Sequence, residues 1–264
     1  MYKDKLLFKS VEVKKVVIDD KEIELPIRYY KDVAMVGIFI ASTKQIIDIL
    51  PTERFRPVEI LPSKALVSLI GLCHYDTSIG PFSELDIGIP IFFDTKFALP
   101  FFSALFYNKN VNFGIYMYRL FVSDEKALTA GVKVWNYPKV IADIEVEDTP
   151  TYRIMKVNKD GKCVIKFMVR KQSRRKEELQ TTFNIYSIKD NKILKSPVDW
   201  KGKKCFARFS HFSYFELGES EYAKDLKLLG LRNYCIEAAF YADLQYILNP
   251  PVTTYSLNTE KDHV

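Results

Sequence analysis

Apolar side chains fall at every second position in stretch after stretch of this chain, and that period most restricts what it can fold into. Leu85, Ile87 and Ile89 alternate with Glu84, Asp86 and Gly88. Cys163, Ile165, Phe167 and Val169 alternate with Lys162, Lys166 and Arg170. Val140, Ala142, Ile144 and Val146 alternate with Ile141, Asp143, Glu145 and Glu147. A period of two marks a strand with one face buried. Helical stretches are few and short. Ser42 can cap a helix over 43–50 that Pro51 ends, and Ser123-Asp124-Glu125 opens another through Ala130 that Gly131 is expected to stop. A third spans 218–231, with Tyr222, Leu226 and Leu229 on one stripe. The expected fold is α+β, mostly β: an antiparallel curved sheet or barrel-like cone with a few short helices.

The remaining features narrow the function classes. At 264 residues and 48% apolar, the chain can bury a substantial core, and a single domain over 1–264 is expected. No apolar run is long enough for a membrane span and the first residues lack a signal-peptide core, so no membrane partner and a cytoplasmic location are expected. Cys73, Cys163, Cys205 and Cys235 form no Cys-x-x-Cys pair, and His74, His211 and His263 have no ligand spacing, so neither a disulfide framework nor a metal site is expected. The net charge of +6 draws on the basic run 170–176, expected to bridge a hairpin between a strand ending at Arg170 and one over 183–188. Glu177 and Glu178 follow at once with no basic-aromatic interleaving, which argues against a nucleic-acid partner.

One stretch carries chemistry: Val134-Trp135-Asn136-Tyr137-Pro138-Lys139-Val140. Pro138 fixes its own φ and biases Tyr137 toward extended backbone, so Lys139 leaves a stiff turn in a defined direction. Bulky neighbours such as Trp135 and Tyr137 could exclude water, and burial disfavours a charged amine. Strict counting puts Lys139 on the side of Asp143 and Glu145, which leaves its orientation open between a loop, a bulge and an acid-lined cavity.

Trp-Asn-Tyr-Pro-Lys followed by a strand resembles the active-site stretch of the acetoacetate decarboxylase superfamily, whose activated Schiff-base lysine is a standard example of nucleophilic catalysis. The Gly80-Pro81-Phe82-Ser83-Glu84 turn into a strand is similar to the stretch carrying the family's active-site glutamate. The resemblance implies Lys139 as imine-forming nucleophile, Glu84 as proton-handling carboxylate, Lys31 or Arg28 as the cation that holds the substrate carboxylate, and Tyr137 and Trp135 as substrate-facing walls. It implies a small keto-acid substrate, no cofactor and a homo-oligomer. The phenylalanine-dense segment 92–106 would fill core or form a subunit interface. Two positions depart from the pattern. Val140 stands where the decarboxylases carry a second lysine, and on the strand over 64–72 the nearest match to a further glutamate is Leu69. The implied activity is decarboxylation of a β-keto acid. The alternatives are aldol, retro-aldol or dehydration chemistry through the same imine, or a non-catalytic barrel that binds a carbonyl ligand or serves as a structural subunit.

Overall fold

The computed structural model describes residues 5–9, 11–95, 112–171 and 176–257. After a single-turn helix α1 (Lys5–Phe8) come the hairpin strands β1 (Lys14–Ile18) and β2 (Lys21–Leu25). Asp19 and Asp20 turn that hairpin with positive φ at both central positions, the geometry that matches strand twist. Then follow β3 (Ile27–Ser42), α2 (Thr43–Ile49), β4 (Phe55–Pro57), β5 (Glu59–Leu61), β6 (Lys64–Thr77), β7 (Phe82–Phe93) and β8 (Phe113–Val122). Next are α3 (Glu125–Trp135), β9 (Lys139–Ile141), β10 (Asp143–Asp148), β11 (Tyr152–Lys159) and β12 (Lys162–Arg170). The chain closes with β13 (Lys176–Lys189), β14 (Lys192–Leu217), α4 (Glu221–Lys227), β15 (Tyr234–Leu248) and β16 (Thr253–Ser256).

Neighbour pairing runs β14-β13-β8-β7-β6-β3-β15, and β15 pairs back onto β14, so seven strands close a barrel. Its pairings are antiparallel except that β13 runs parallel to β8. This is the mostly β, barrel-like architecture the alternation implies. The two faces of β7 part company: Leu85, Ile87, Ile89 and Ile91 pack outward into a core shared with Met155, Val157, Ile165 and Phe167 of β11 and β12. Positions of opposite parity, Phe82 among them, face a second, inner core with Tyr29, Leu72, Leu120 and Tyr246. Burial on both sides explains why so few barrel residues are exposed.

Three local expectations are corrected. The helix α3 runs through Gly131 to Trp135 and stops where Asn136 enters the left-handed region at φ 50°. Its start is as expected, with the Asp124 side chain accepting a hydrogen bond from the Ala127 N–H at 2.8 Å. The strands β12 and β13 are not hairpin partners, because β14 lies between them, paired to both. Its 26 residues are long enough to pair with β13 along one part and with β12 along another. The basic run falls partly outside the described residues, as does the phenylalanine-dense segment beyond Thr95. Third, the strand expected over 140–147 is two strands broken at Ala142: β9 pairs with β8, whereas β10 pairs with β11. The exposed acids of β10 therefore say nothing about where Lys139 points.

Candidate active site

Lys139 is positioned by helix, turn and strand together. Trp135, fully buried at the end of α3, donates its indole N–H to the Asn249 carbonyl at 2.9 Å, and its own carbonyl accepts from Ser187 Oγ. The Asn136 side chain donates to the Ile188 carbonyl at 2.6 Å. These bonds tie the turn to the barrel rim, so the direction in which Lys139 leaves is set by packing rather than by the turn alone. From β9 the lysine stem then lies along α3. A Cβ on Gly131 would sit 2.4 Å from Lys139 Cε and 2.6 Å from Cδ. The residue that reads as a helix stop is a vacancy in the helix face that the lysine fills.

The amine ends inside the barrel, 2.7 Å from Glu84 Oε2, with both side chains 6% exposed. Its Nζ also sits 5.8 Å from the centre of the Phe82 ring. The two residues singled out in the sequence thus form a buried ion pair, not a lone amine in a dry pocket. The surrounding cavity, about 60 Å3, has room for a few waters by the roughly 10–15 Å3 that each occupies on this scale. All seven barrel strands contribute to its wall, which is largely apolar, with Ile70, Met117, Leu120 and Val198 among the lining residues. Lys139 is the one cation among the described lining residues.

A second carboxyl belongs to this site. Asp86 follows Glu84 by two positions on β7, faces the same cavity and is 7% exposed. Burial first, then the charge of Glu84 and a hydrogen bond with it, push the Asp86 carboxyl well above the usual range. For Glu84, burial acts upward, but the charge of Lys139, the hydrogen bond with Asp86 and the nearby His74 outweigh it and hold that carboxyl below its ordinary value. Of the two neighbouring carboxyls, Asp86 is the one that holds a proton more tightly. The Tyr137 hydroxyl, also in the wall, is buried without a partner among the described residues, and burial pushes its phenol pKa up.

Behind the cavity lies a buried pair. His74 Nδ1 is 3.1 Å from Asp32 Oδ1, and the imidazole stands 4.2 Å from Phe82 and 4.8 Å from Tyr29, ring centre to ring centre. Burial raises the Asp32 carboxyl, which His74 offsets only in part.

The structure separates the candidates. Lys139, Glu84 and Tyr137 meet in one cavity, but Trp135 does not line it and acts as an anchor for the turn. Neither expected carboxylate-binding cation reaches the cavity. Lys31 is exposed, 6.0 Å from the Tyr75 ring, and Arg28 is ion-paired to Glu24. The reason is parity: β3 turns Tyr29 inward, which sends Arg28 outward, and irregular pairing around Lys31 returns Asp32 to the interior. Leu69 faces the outer core, whereas Ile70 and Leu72 line the cavity and Leu72 pairs directly with Glu84. Asp86 could have been found from its shared parity with Glu84 once that face was known to be the inside. Asp32 and His74 carried no spacing signal, being 42 positions apart.

The acetoacetate decarboxylase family model matches residues 19–213, which contain Lys139, Glu84 and the strands that hold them. The chain belongs to the acetoacetate decarboxylase family. No curated protein sequence matches it. Among solved structures, one of acetoacetate decarboxylase superposes with a TM-score of 0.57 at 14% identity, covering 88% of each chain. Acetoacetate decarboxylase from Legionella pneumophila gives 0.56 at 14% identity over 87% of this chain and 88% of that one. The enduracididine biosynthesis enzyme MppR, complexed with pyruvate, gives 0.56 at 9% identity over 88% and 90%. At these identities the likeness is one of fold, and this family member keeps the barrel while its site residues have to be judged on their own geometry.

Proposed function

We propose that this protein is a Schiff-base-forming lyase that decarboxylates a small β-keto acid through Lys139. The observation that carries the reading is the buried contact of Lys139 Nζ with Glu84 at 2.7 Å inside the barrel. When the amine attacks a ketone it must shed protons, and Glu84 is within the reach a general base needs. The resulting iminium withdraws electrons from the neighbouring C–C bond, so CO2 departs and leaves an enamine. That step destroys a positive iminium and a negative carboxylate together. An apolar wall with no other cation among its described residues favours it, because separated charges are poorly stabilised there. Tyr137 is placed to donate to a substrate oxygen.

A second reading uses the same imine for aldol, retro-aldol or dehydration chemistry. Val140, in place of the second lysine of the decarboxylases, is the observation that favours it. Borohydride reduction in the presence of acetoacetate tests the common step: a stable mass gain on Lys139 that vanishes in Lys139→Ala is expected. Protein unchanged in mass with acetoacetate and pyruvate alike would instead point to a non-catalytic barrel. CO2 evolution against aldol products then separates the two chemistries.

A further inference from the structure

The Schiff-base reading leaves one obligatory step unassigned, the return of a proton to carbon. Asp86 stands two residues from Glu84 on the same face of β7, in the wall of the cavity that holds the Lys139 amine. It lies beside Glu84, and its Oδ1 is buried with no hydrogen-bond partner among the described residues. Most buried carboxyl oxygens are hydrogen-bonded, so an unpartnered one in a cavity wall is available to a substrate that enters the cavity. Placing a second carboxyl against an ionised first is tolerable only if the second keeps its proton, which makes Asp86 an acid and not a second base.

Resting on that reading, we infer that Asp86 is the catalytic acid that protonates the enamine carbon left after CO2 departs. The cycle balances. Cleavage of the substrate C–C bond sends its electron pair into the enamine double bond and neutralises the iminium nitrogen. The enamine carbon then takes the Asp86 proton, its π electrons forming the new C–H bond, and the nitrogen becomes iminium again while Asp86 becomes a carboxylate. Water adds to the iminium carbon and gives a proton to Asp86, restoring the acid. Collapse of the carbinolamine releases the ketone and the Lys139 amine. Glu84, paired with the amine throughout, serves imine formation, so the two carboxyls divide the work.

The test uses the full chain with acetoacetate as probe and follows CO2 in the first turnover and at steady state. In Asp86→Asn, which keeps the side chain's size, borohydride trapping and a first-turnover CO2 burst are expected to survive while steady-state turnover falls on the order of 100-fold, the usual contribution of a positioned acid. Asp86→Glu, which keeps an ionisable acid, should recover most of that loss. Steady-state rates in Asp86→Asn within about threefold of wild type would overturn the assignment, as would equal loss of burst, trapping and turnover, which would mean that Asp86 only holds the site together. Failure of Asp86→Glu to exceed Asp86→Asn would overturn it too, and if Asp86→Asn folds poorly, an Asp86→Glu protein that melts like wild type yet turns over on the order of 100-fold more slowly would overturn it as well. A wild-type protein that forms no reducible adduct removes the imine itself, a different failure from one confined to Asp86.

Discussion

Replacing Gly131 by alanine should separate catalysis from stability in a direction opposite to ordinary damage. The new Cβ would lie 2.4 Å from Lys139 Cε, 2.6 Å from Cδ and 3.2 Å from Nζ. Restoring ordinary contact, about 3.4 Å, requires about 1 Å of movement. The atoms in the way belong to the far end of a flexible side chain, so the lysine gives way and the helix backbone does not. Within a helix, alanine is favoured over glycine by about 1 kcal/mol, roughly 2–4 °C in Tm for a chain of this size. Part of that gain is offset by loosening the contact with Glu84, so Tm should stay level or rise slightly. A displacement of about 1 Å at a nucleophile costs on the order of 100-fold in rate. The assay is the rate of borohydride-trapped adduct formation on Lys139 with acetoacetate, read beside a thermal melt. Wild-type trapping in Gly131→Ala would refute the claim that the helix face aims the amine. A large drop in Tm would refute the claim that the lysine yields first.

Glu84→Gln keeps the volume of the side chain but leaves Lys139 without its carboxylate in a site where both are 6% exposed. Breaking a buried pair in this way should cost about 3–5 kcal/mol in urea denaturation, and trapping on Lys139 should slow as the base is lost. Stability should also depend on pH in opposite senses at the two carboxyls. Glu84 is depressed, so its contribution is present above its ordinary value of 4.5 and is lost as pH falls through the folded value. Asp86 is raised, so its contribution is complete below its ordinary 3.8 and disappears as pH climbs through its folded value. Melts taken upward from about pH 4 should therefore show a decline with rising pH in wild type that is weaker in Asp86→Asn. Parallel curves for the two proteins would mean that Asp86 is ionised alike in the folded and unfolded chain.

The strands and the Lys139–Glu84 pair were legible because each rests on local information: alternation marks the strands, and short motifs mark the two residues. What sequence could not supply was which face of a strand becomes the inside. Glu84 and Asp86 share parity, but a carboxyl on a strand is ordinarily exposed, so only closure of the sheet reveals that both are interior. On β3 the parity that turns Tyr29 inward expels Arg28, and the register irregularity around Lys31 expels that lysine as well. Gly131 misled because glycine stops helices by conformation and also makes room by lacking a side chain. Here it does the second. Pairing was illegible wherever partners are distant, as with β14, which enters between two strands that precede it in the chain.

The count of strands in the ring has an architectural consequence. Directions that flip at every step return to their starting sense only after an even number of steps, so seven strands oblige one neighbouring pair to point the same way. In this protein that mismatch falls between β8 and β13, which stay together for three residue pairs, Gly114 to Tyr116 against Asn184 to Tyr186. Farther along, the freed edge of β8 is taken over by β9 from Leu120 to Val122, and β9 begins with Lys139. The odd ring thus has one parallel junction, and at that junction β9 takes a place beside β8 and brings the nucleophile to the interior. A six- or eight-membered ring could alternate all the way round and would need no such junction.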